Sequence, residues 1–172
     1  MNIRLKTIVS VAAAAAAVIL SGCKVTYSLS GASIPANART VSIAYFPNNA
    51  TLVSPTLSST LTDALQSKFT NQTKLELVSE NGDLAFEGDI TDYSVTPTAV
   101  TSNDQAAMNR LTVKVRVKFT NRIDPTFDYN QTFSTFQEYP SSQDLSSVES
   151  TLIPELVDVL VDDIFNAAVS NW

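Results

Sequence analysis

The stretch "RLTVKVRVKFTNR" (residues 110–122) restricts the fold more than any other part of this chain. Its odd-numbered positions from 111 to 119 are apolar, and its even-numbered positions are basic residues or threonine. Because successive side chains of a strand point to opposite faces of a sheet, this alternation predicts a long strand with one buried and one outward side. We expect the apolar side to lie under helices and the basic side to face outward.

Two helices are predicted near the two ends of the folded region. Ser54 fits an N-cap, and apolar residues at helical spacing continue from there to about Asn71. A second apolar stripe begins near Asp144 and contains Pro154, which lacks the N–H that a helix interior requires. The second helix is therefore predicted either to begin near Ser150, with the proline in its first turn, or to be kinked.

Shorter stretches alternate in the manner of strands. "TVSIAYF" (residues 40–46) predicts a strand that has Tyr45 on its apolar face. "KLELVS" (residues 74–79) predicts another short strand, and Asn81-Gly82 follows it. Because Asn-Gly favours a tight hairpin turn, the next strand is expected to return antiparallel to this one.

The strand after this turn changes its pattern midway. Phe86 and Ile90 share one parity, whereas the apolar position Tyr93 has the other. A shift of one residue would turn the apolar set outward unless the strand contains a bulge. We therefore predict a bulge near Thr91 and Asp92.

The predicted elements follow the order strand, helix, four strands, helix. Consecutive strands with helices near the two ends are typical of the α+β class. We expect two helices packed on one face of a largely antiparallel four- to five-stranded sheet. The other face of the sheet is then bare.

The beginning of the chain has the pattern of an exported protein. "MNIRLK" supplies two basic residues, residues 7–22 are uncharged, and Cys23 follows. A basic start, a short apolar centre and small residues at the end are typical of a signal peptide. "LSGC" (residues 20–23) also resembles the lipobox of bacterial lipoproteins. That resemblance implies cleavage before Cys23, which then receives diacylglycerol and an acyl chain such as palmitate.

These patterns divide the chain into three parts. We expect a signal peptide over residues 1–22, a lipid-anchored tether over 23–39 and a single α+β domain over 40–172. Removal of Arg4 and Lys6 with the signal leaves nine basic residues against 17 acidic ones, a net charge of −8. An acidic protein of this kind is a poor nucleic-acid binder.

Several routes to catalysis are closed by composition. The chain contains no histidine, its single cysteine is the expected lipid attachment point, and it has only four glycines. Histidine bases, the usual zinc ligands, a cysteine nucleophile and a Gly-rich phosphate loop are therefore absent from the sequence. We expect a protein that is not an enzyme and that holds no metal and no cofactor besides its covalent lipid.

The predicted outward face of the long strand is the candidate binding site. Arg110, Lys114, Arg116 and Lys118 share this face, and such a basic stripe is suited to hold phosphates or acidic sugars. The simpler interpretation is that the stripe is neutralised by carboxylates of neighbouring strands. The candidates for that pairing are Glu87, Asp89 and Asp128.

Several stretches together resemble the LptE-like lipopolysaccharide-assembly lipoproteins: the lipobox, "TVSIAYFPNNA", "LAFEGDITDYSVTP", "NRLTVKVRVKFTN", "SSQDLSSVE" and "DDIFNAAVSNW". The resemblance in order and spacing covers nearly all of residues 23–172. It implies two helices on a mixed or antiparallel sheet, and a lipid-anchored outer-membrane subunit inside an LptD-type β-barrel. It further implies that this subunit plugs and assembles the barrel, which delivers lipopolysaccharide to the outer leaflet, with lipopolysaccharide as a candidate ligand.

Two other functions stay open at this point. The chain fits an unrelated lipid-anchored periplasmic adaptor or envelope-assembly protein. It also contains Glu87 and Asp89 two residues apart on one strand face, a geometry that a carboxylate-dependent hydrolase uses. Capture of a large barrel protein distinguishes the first function from the adaptor, and a pocket with convergent carboxylates would favour the hydrolase.

Overall fold

The computed structural model describes residues 34–35, 37–100 and 106–169, without the side chains of residues 99, 100, 106 and 107. In these residues the chain forms the elements β1 (Thr40–Ile43), α1 (Leu57–Gln72), β2 (Glu76–Val78), β3 (Leu84–Val100), β4 (Ala106–Asn121), β5 (Tyr129–Pro140) and α2 (Leu145–Val169). A short 3-10 helix at Pro125–Phe127 connects β4 to β5. The α+β class predicted from the sequence is confirmed.

The strands form one sheet in the order β2-β1-β3-β4-β5. Neighbours β3, β4 and β5 are antiparallel, whereas β1 pairs in parallel with both β2 and β3. The sheet is therefore mixed, and the antiparallel arrangement predicted for it is limited to the three long strands. Helix α1 packs on β1 and β2, α2 packs on β4 and β5, and the two helices contact each other.

The prediction that β3 returns antiparallel beside β2 is wrong. Asn81 does adopt a left-handed conformation, with a φ of 60°, but the loop crosses β1 instead of closing a hairpin. The Gly82 N–H donates a hydrogen bond to Ser42 Oγ at 3.1 Å. A Cβ at Gly82 would lie only 2.7 Å from the carbonyl carbon of Val41. The glycine is thus needed because the loop passes close to β1, which separates β2 from β3.

The first strand and first helix begin and end differently from the prediction. Strand β1 ends at Ile43, so Tyr45 is exposed and Phe46 is buried in its place. Helix α1 begins after Thr56 rather than after Ser54, which is itself buried. In both cases the segment between β1 and α1 packs against the sheet. This tertiary packing, rather than the local sequence pattern, determines where the strand ends and where the helix begins.

Helix α2 runs from Leu145 to Val169 with Pro154 inside it. Of the two predicted alternatives, a helix that begins near Ser150 is therefore excluded. Pro154 and Ser150 are both exposed. Pro154 has no N–H to donate to the carbonyl of Ser150. That carbonyl lies on the solvent side of the helix, where it is accessible to water.

An aromatic row connects the helical layer to the sheet. Phe165 of α2 and Phe69 of α1 have ring centroids 5.0 Å apart, and Phe69 lies 4.8 Å from Phe86 of β3. Phe86 is followed by Phe119 of β4 at 4.8 Å and then by Tyr129 of β5 at 5.1 Å. These tilted contacts join both helices and three strands into one hydrophobic core.

None of the helices in the described part of the chain is long and apolar enough to cross a membrane.

Candidate functional site

The outward side of β4 is the face that the alternation predicted. The apolar side chains at odd positions 111–119 are buried under the helices, and the basic side chains at positions 114, 116 and 118 are exposed on the opposite face. Arg110 is half-buried on the same face. We call this outward side of β3, β4 and β5 the open face.

A bulge in β3 determines which carboxylates reach the open face. The pairing with β4 shifts between Ile90 and Asp92, so Thr91 is the extra residue, as predicted. Because of this shift, Asp92 lies opposite Lys114 on the open face, while Tyr93 is buried on the other side. Without the bulge, Asp92 would point into the core.

Arg116 makes the most enclosed ion pair of the open face. Its Nε and Nη2 donate to the two carboxylate oxygens of Asp89 at 3.0 and 3.1 Å. Asn49 Nδ2 donates to the same carboxylate at 3.2 Å, because residues 47–49 run beside Ile90 as an extra parallel bridge. The Asp89 side chain is 12% exposed, so this two-pronged pair is held in place from both sides.

Two lysines of the open face are held more loosely. Lys114 Nζ lies 3.1 Å from an Asp92 oxygen, and Lys118 Nζ lies 3.1 Å from a Glu87 oxygen. The lysine side chains are 46% and 59% exposed. Single contacts of this kind in water contribute little to stability, so both ammonium groups can exchange a carboxylate for another anion at small cost.

Arg110 belongs to a third arrangement at the other end of β4. Its Nη2 lies 2.7 Å from Glu138 Oε1, and its guanidinium carbon lies 4.0 Å from the ring centroid of Phe136. The expected partner Asp128 does not pair with the stripe, because its carboxylate accepts the backbone N–H of Asn121 at 2.6 Å. The basic stripe is therefore ion-paired with β5 through Glu138 rather than through Asp128.

The four predicted cations thus lie together on one face, and each has a carboxylate partner on a neighbouring strand. This arrangement fulfils the simpler interpretation of the stripe. Glu87 and Asp89 were candidates from the sequence, whereas Asp92 and Glu138 were missed. The predicted bulge in β3 was the signal for Asp92. The signal for Glu138 was the sequence "IDPT" (residues 123–126), because β4 and β5 pair symmetrically about Asp124 and Arg110 then lies opposite Glu138.

The cations of the open face differ in what they are free to do. Lys114 and Lys118 lie four residues apart on one strand, about 13 Å at the usual rise per residue, and offer two separate exposed positive charges. Arg116 is fixed by Asp89 and serves to hold β3 to β4. Cys23, the predicted lipid attachment site, lies outside the described residues.

Comparison with known proteins assigns the chain to a family. The family model described as "LptE: Lipopolysaccharide-assembly" matches residues 38–168. The chain belongs to this family of lipopolysaccharide-assembly proteins. A search of curated proteins finds no match to the chain.

Solved structures share the fold at low sequence identity. The chain is similar to uncharacterized lipoprotein B from Nitrosomonas europaea, with 14% identity, a TM-score of 0.55, and coverage of 84% of this chain and 88% of the other. A hypothetical protein from Chlamydia trachomatis is 9% identical, with a TM-score of 0.53 and coverage of 78% and 99%. A protein from Xanthomonas campestris is 11% identical, with a TM-score of 0.51 and coverage of 80% and 89%. At these identities the likeness concerns the fold alone.

Proposed function

We propose that the mature chain, from Cys23 onward, is a lipid-anchored outer-membrane subunit of the lipopolysaccharide translocon. In this proposal it sits inside an LptD-type β-barrel, which it plugs and helps to assemble, and it has no catalytic activity. The observation that supports the proposal most is the family match over residues 38–168, preceded by the lipobox-like "LSGC" (residues 20–23). The absence of histidine and of any thiol besides Cys23 is in keeping with a role in binding rather than catalysis.

The lipid anchor has a direct test. We expect Cys23→Ser to abolish incorporation of a fatty-acid probe and to release the protein from the membrane, because three acyl chains hold a protein far more firmly than one. Ser21→Ala is the matched control, since it changes a neighbouring residue of the same motif and leaves the thiol. Equal labelling of wild type and Cys23→Ser would exclude lipidation at this residue.

The barrel contact is proposed to involve the open face. A photocrosslinking amino acid at Lys118, an exposed position of that face, should capture one very large membrane protein. The same probe at Asn71, an exposed position of α1 on the helical layer, is the control. The difference in captured barrel between the two positions measures the contribution of the open face. Capture of small soluble proteins alone, from either position, would favour the periplasmic adaptor.

Lipopolysaccharide binding is proposed for Lys114 and Lys118. Phosphate groups would replace Asp92 and Glu87 at the two exposed ammonium groups, whose present contacts are single and 3.1 Å long. We expect the double variant Lys114→Gln/Lys118→Gln to bind purified lipopolysaccharide severalfold more weakly than wild type at low salt. Because exposed charge pairs are screened, the difference should shrink as salt rises.

A matched control separates a site from a general charge effect. Arg39→Gln/Lys74→Gln removes two positive charges at exposed positions outside the open face. This control should bind lipopolysaccharide like wild type. An equal loss in both double variants would mean that only net charge matters, and no loss in either would mean that the stripe solely neutralises its neighbours.

A further inference from the structure

The two edge strands of the sheet, β2 and β5, differ in how well they are protected against pairing with a strand of another chain. At one edge, β2 has only three residues, Glu76–Val78, and charged residues lie beside it in the chain. At the other edge, β5 has twelve residues, Tyr129–Pro140. Natural proteins protect sheet edges with short strands, charges, prolines or bulges, since a free edge is a template for another strand. Strand β2 has two of these protections, its short length and the charges beside it.

Strand β5 has almost none of them. Its pairing with β4 continues through twelve residue pairs without a register shift, so no bulge bends it. Its one charge is Glu138 and its one proline, Pro140, is the last residue. In the described part of the chain, the backbone of β5 makes ladder bonds to β4, and no other strand covers its outer side. Phe136, half exposed, adds an apolar side chain beside this edge.

We propose that, in the protein that is not inside a barrel, a second copy of this chain pairs with β5, antiparallel and around a two-fold axis at Ser134. This register uses the strand over its full length from Tyr129 to Tyr139. It keeps the open faces of the two copies on the same side, because even-numbered residues meet even-numbered ones. The two sheets then form one continuous ten-stranded sheet.

The residues that meet across this axis are compatible. Phe136 lies opposite Thr132 of the other copy, an aromatic and β-branched pair of the kind that stabilises antiparallel strands. Glu138 lies opposite Asn130 of the other copy, so the only charge on the strand meets a neutral amide rather than its own copy. An unrelated strand would need its own matching sequence, whereas β5 matches itself. The contact is isologous and closes after one pairing, since the other edge is too short to continue it.

The charge of the protein gives this association a distinctive salt dependence. Each mature copy has a net charge of −8, so two copies repel each other in dilute salt. Salt screens that repulsion and leaves the backbone hydrogen bonds in place. Self-association should therefore strengthen as salt rises, which is opposite to the salt dependence proposed for lipopolysaccharide binding.

Cysteine crosslinking of the full lipidated chain, with detergent micelles in excess, tests the register. At the axis, Ser134→Cys places the two Cα atoms about 5 Å apart, within the range of a disulfide. The matched control Thr132→Cys lies on the same face of the same strand, but its two copies stand about 13 Å apart. We expect oxidation to give a disulfide dimer for Ser134→Cys and none for Thr132→Cys or wild type.

A charge variant tests the interface without a disulfide. Ser134 lies opposite Lys114 within one copy, so Ser134→Glu suits the isolated protein but brings two carboxylates together at the axis. We expect sedimentation to show dimer dissociation at about fivefold higher concentration for Ser134→Glu than for Asn71→Glu, which adds the same charge on α1. A wild-type protein that stays monomeric at high salt, or equal crosslinking at positions 134 and 132, would overturn the proposal. Neither result would affect the assignment to the translocon, which is tested by capture of the barrel.

Discussion

Replacement of Arg116 by methionine should destabilise the fold much more than the same replacement of Lys118. Both residues lie on the open face of β4, and each pairs with a carboxylate of β3. They differ in enclosure, because the Asp89 side chain is 12% exposed whereas that of Glu87 is 63% exposed. The comparison therefore contrasts an enclosed, two-pronged ion pair with an exposed, single one within one strand ladder.

The expected magnitudes follow from these contacts. Arg116→Met removes two of the three N–H donors of Asp89 and leaves Asn49 as the third. A buried hydrogen-bonding group left without its partner costs about 1–3 kcal/mol, and a charged group costs more. Because Asp89 keeps the bond from Asn49 and is partly exposed to water, we expect about 2 kcal/mol. The pair of Lys118 and Glu87 is exposed at both ends, so Lys118→Met should cost about 0.2–0.5 kcal/mol.

Urea and thermal unfolding of the mature protein, followed by circular dichroism, measure the difference. For a domain of this size, 1 kcal/mol changes Tm by about 2–4 °C, so Arg116→Met should lower Tm by about 4–8 °C and Lys118→Met by less than about 2 °C. The double variant Asp89→Asn/Arg116→Met should recover part of the loss, since no charge is then left buried. Equal effects of the two single variants, or no recovery in the double variant, would refute this account of the ladder.

Three further changes probe the fold. Gly88→Ala should cost at least about 2 kcal/mol in urea unfolding, because the new Cβ would overlap the backbone carbonyl oxygen of Arg116 on β4 and lie 2.6 Å from the ring of Phe46; a neutral result would contradict the packing. Tyr93→Phe should cost about 1–2 kcal/mol by the same assay, since its buried hydroxyl donates to Glu149 at 2.5 Å. The backbone N–H groups of residues 39 and 40 lower the pKa of Asp83 below its ordinary 3.8. Its contribution is therefore fully present above the unfolded-state pKa and is lost as pH falls from about 3.8 through the lowered folded-state pKa. Wild type should lose more stability on acidification through this range than Asp83→Asn, and parallel curves would contradict the assignment.

The face of the long strand was predictable because its signal is local. Alternation over residues 110–122 fixes which side chains are buried, and helices on one side leave the other open. The change of parity between Ile90 and Tyr93 likewise required a bulge, whatever the neighbours of the strand. These parts of the fold depend on a period of two residues, which the sequence displays directly.

The position of β1 was not predictable in this way. Asn81 adopts the left-handed conformation that its residue type favours, but this local geometry does not decide which strand lies beside which. That choice depends on β1, about forty residues earlier, which takes the place between β2 and β3. Tyr45 was misassigned for a related reason, since β1 ends at Ile43 and the chain then turns Phe46 into the core against Gly88.

Affinity purification from detergent-solubilised membranes tests the central claim most directly. A tag at the C-terminus of the full chain, with an unrelated lipoprotein carrying the same tag as control, shows which protein the chain holds. The account predicts that one very large outer-membrane β-barrel protein is recovered in near-equal molar amount with this chain and not with the control. Recovery of only small periplasmic proteins, with no barrel, would contradict it.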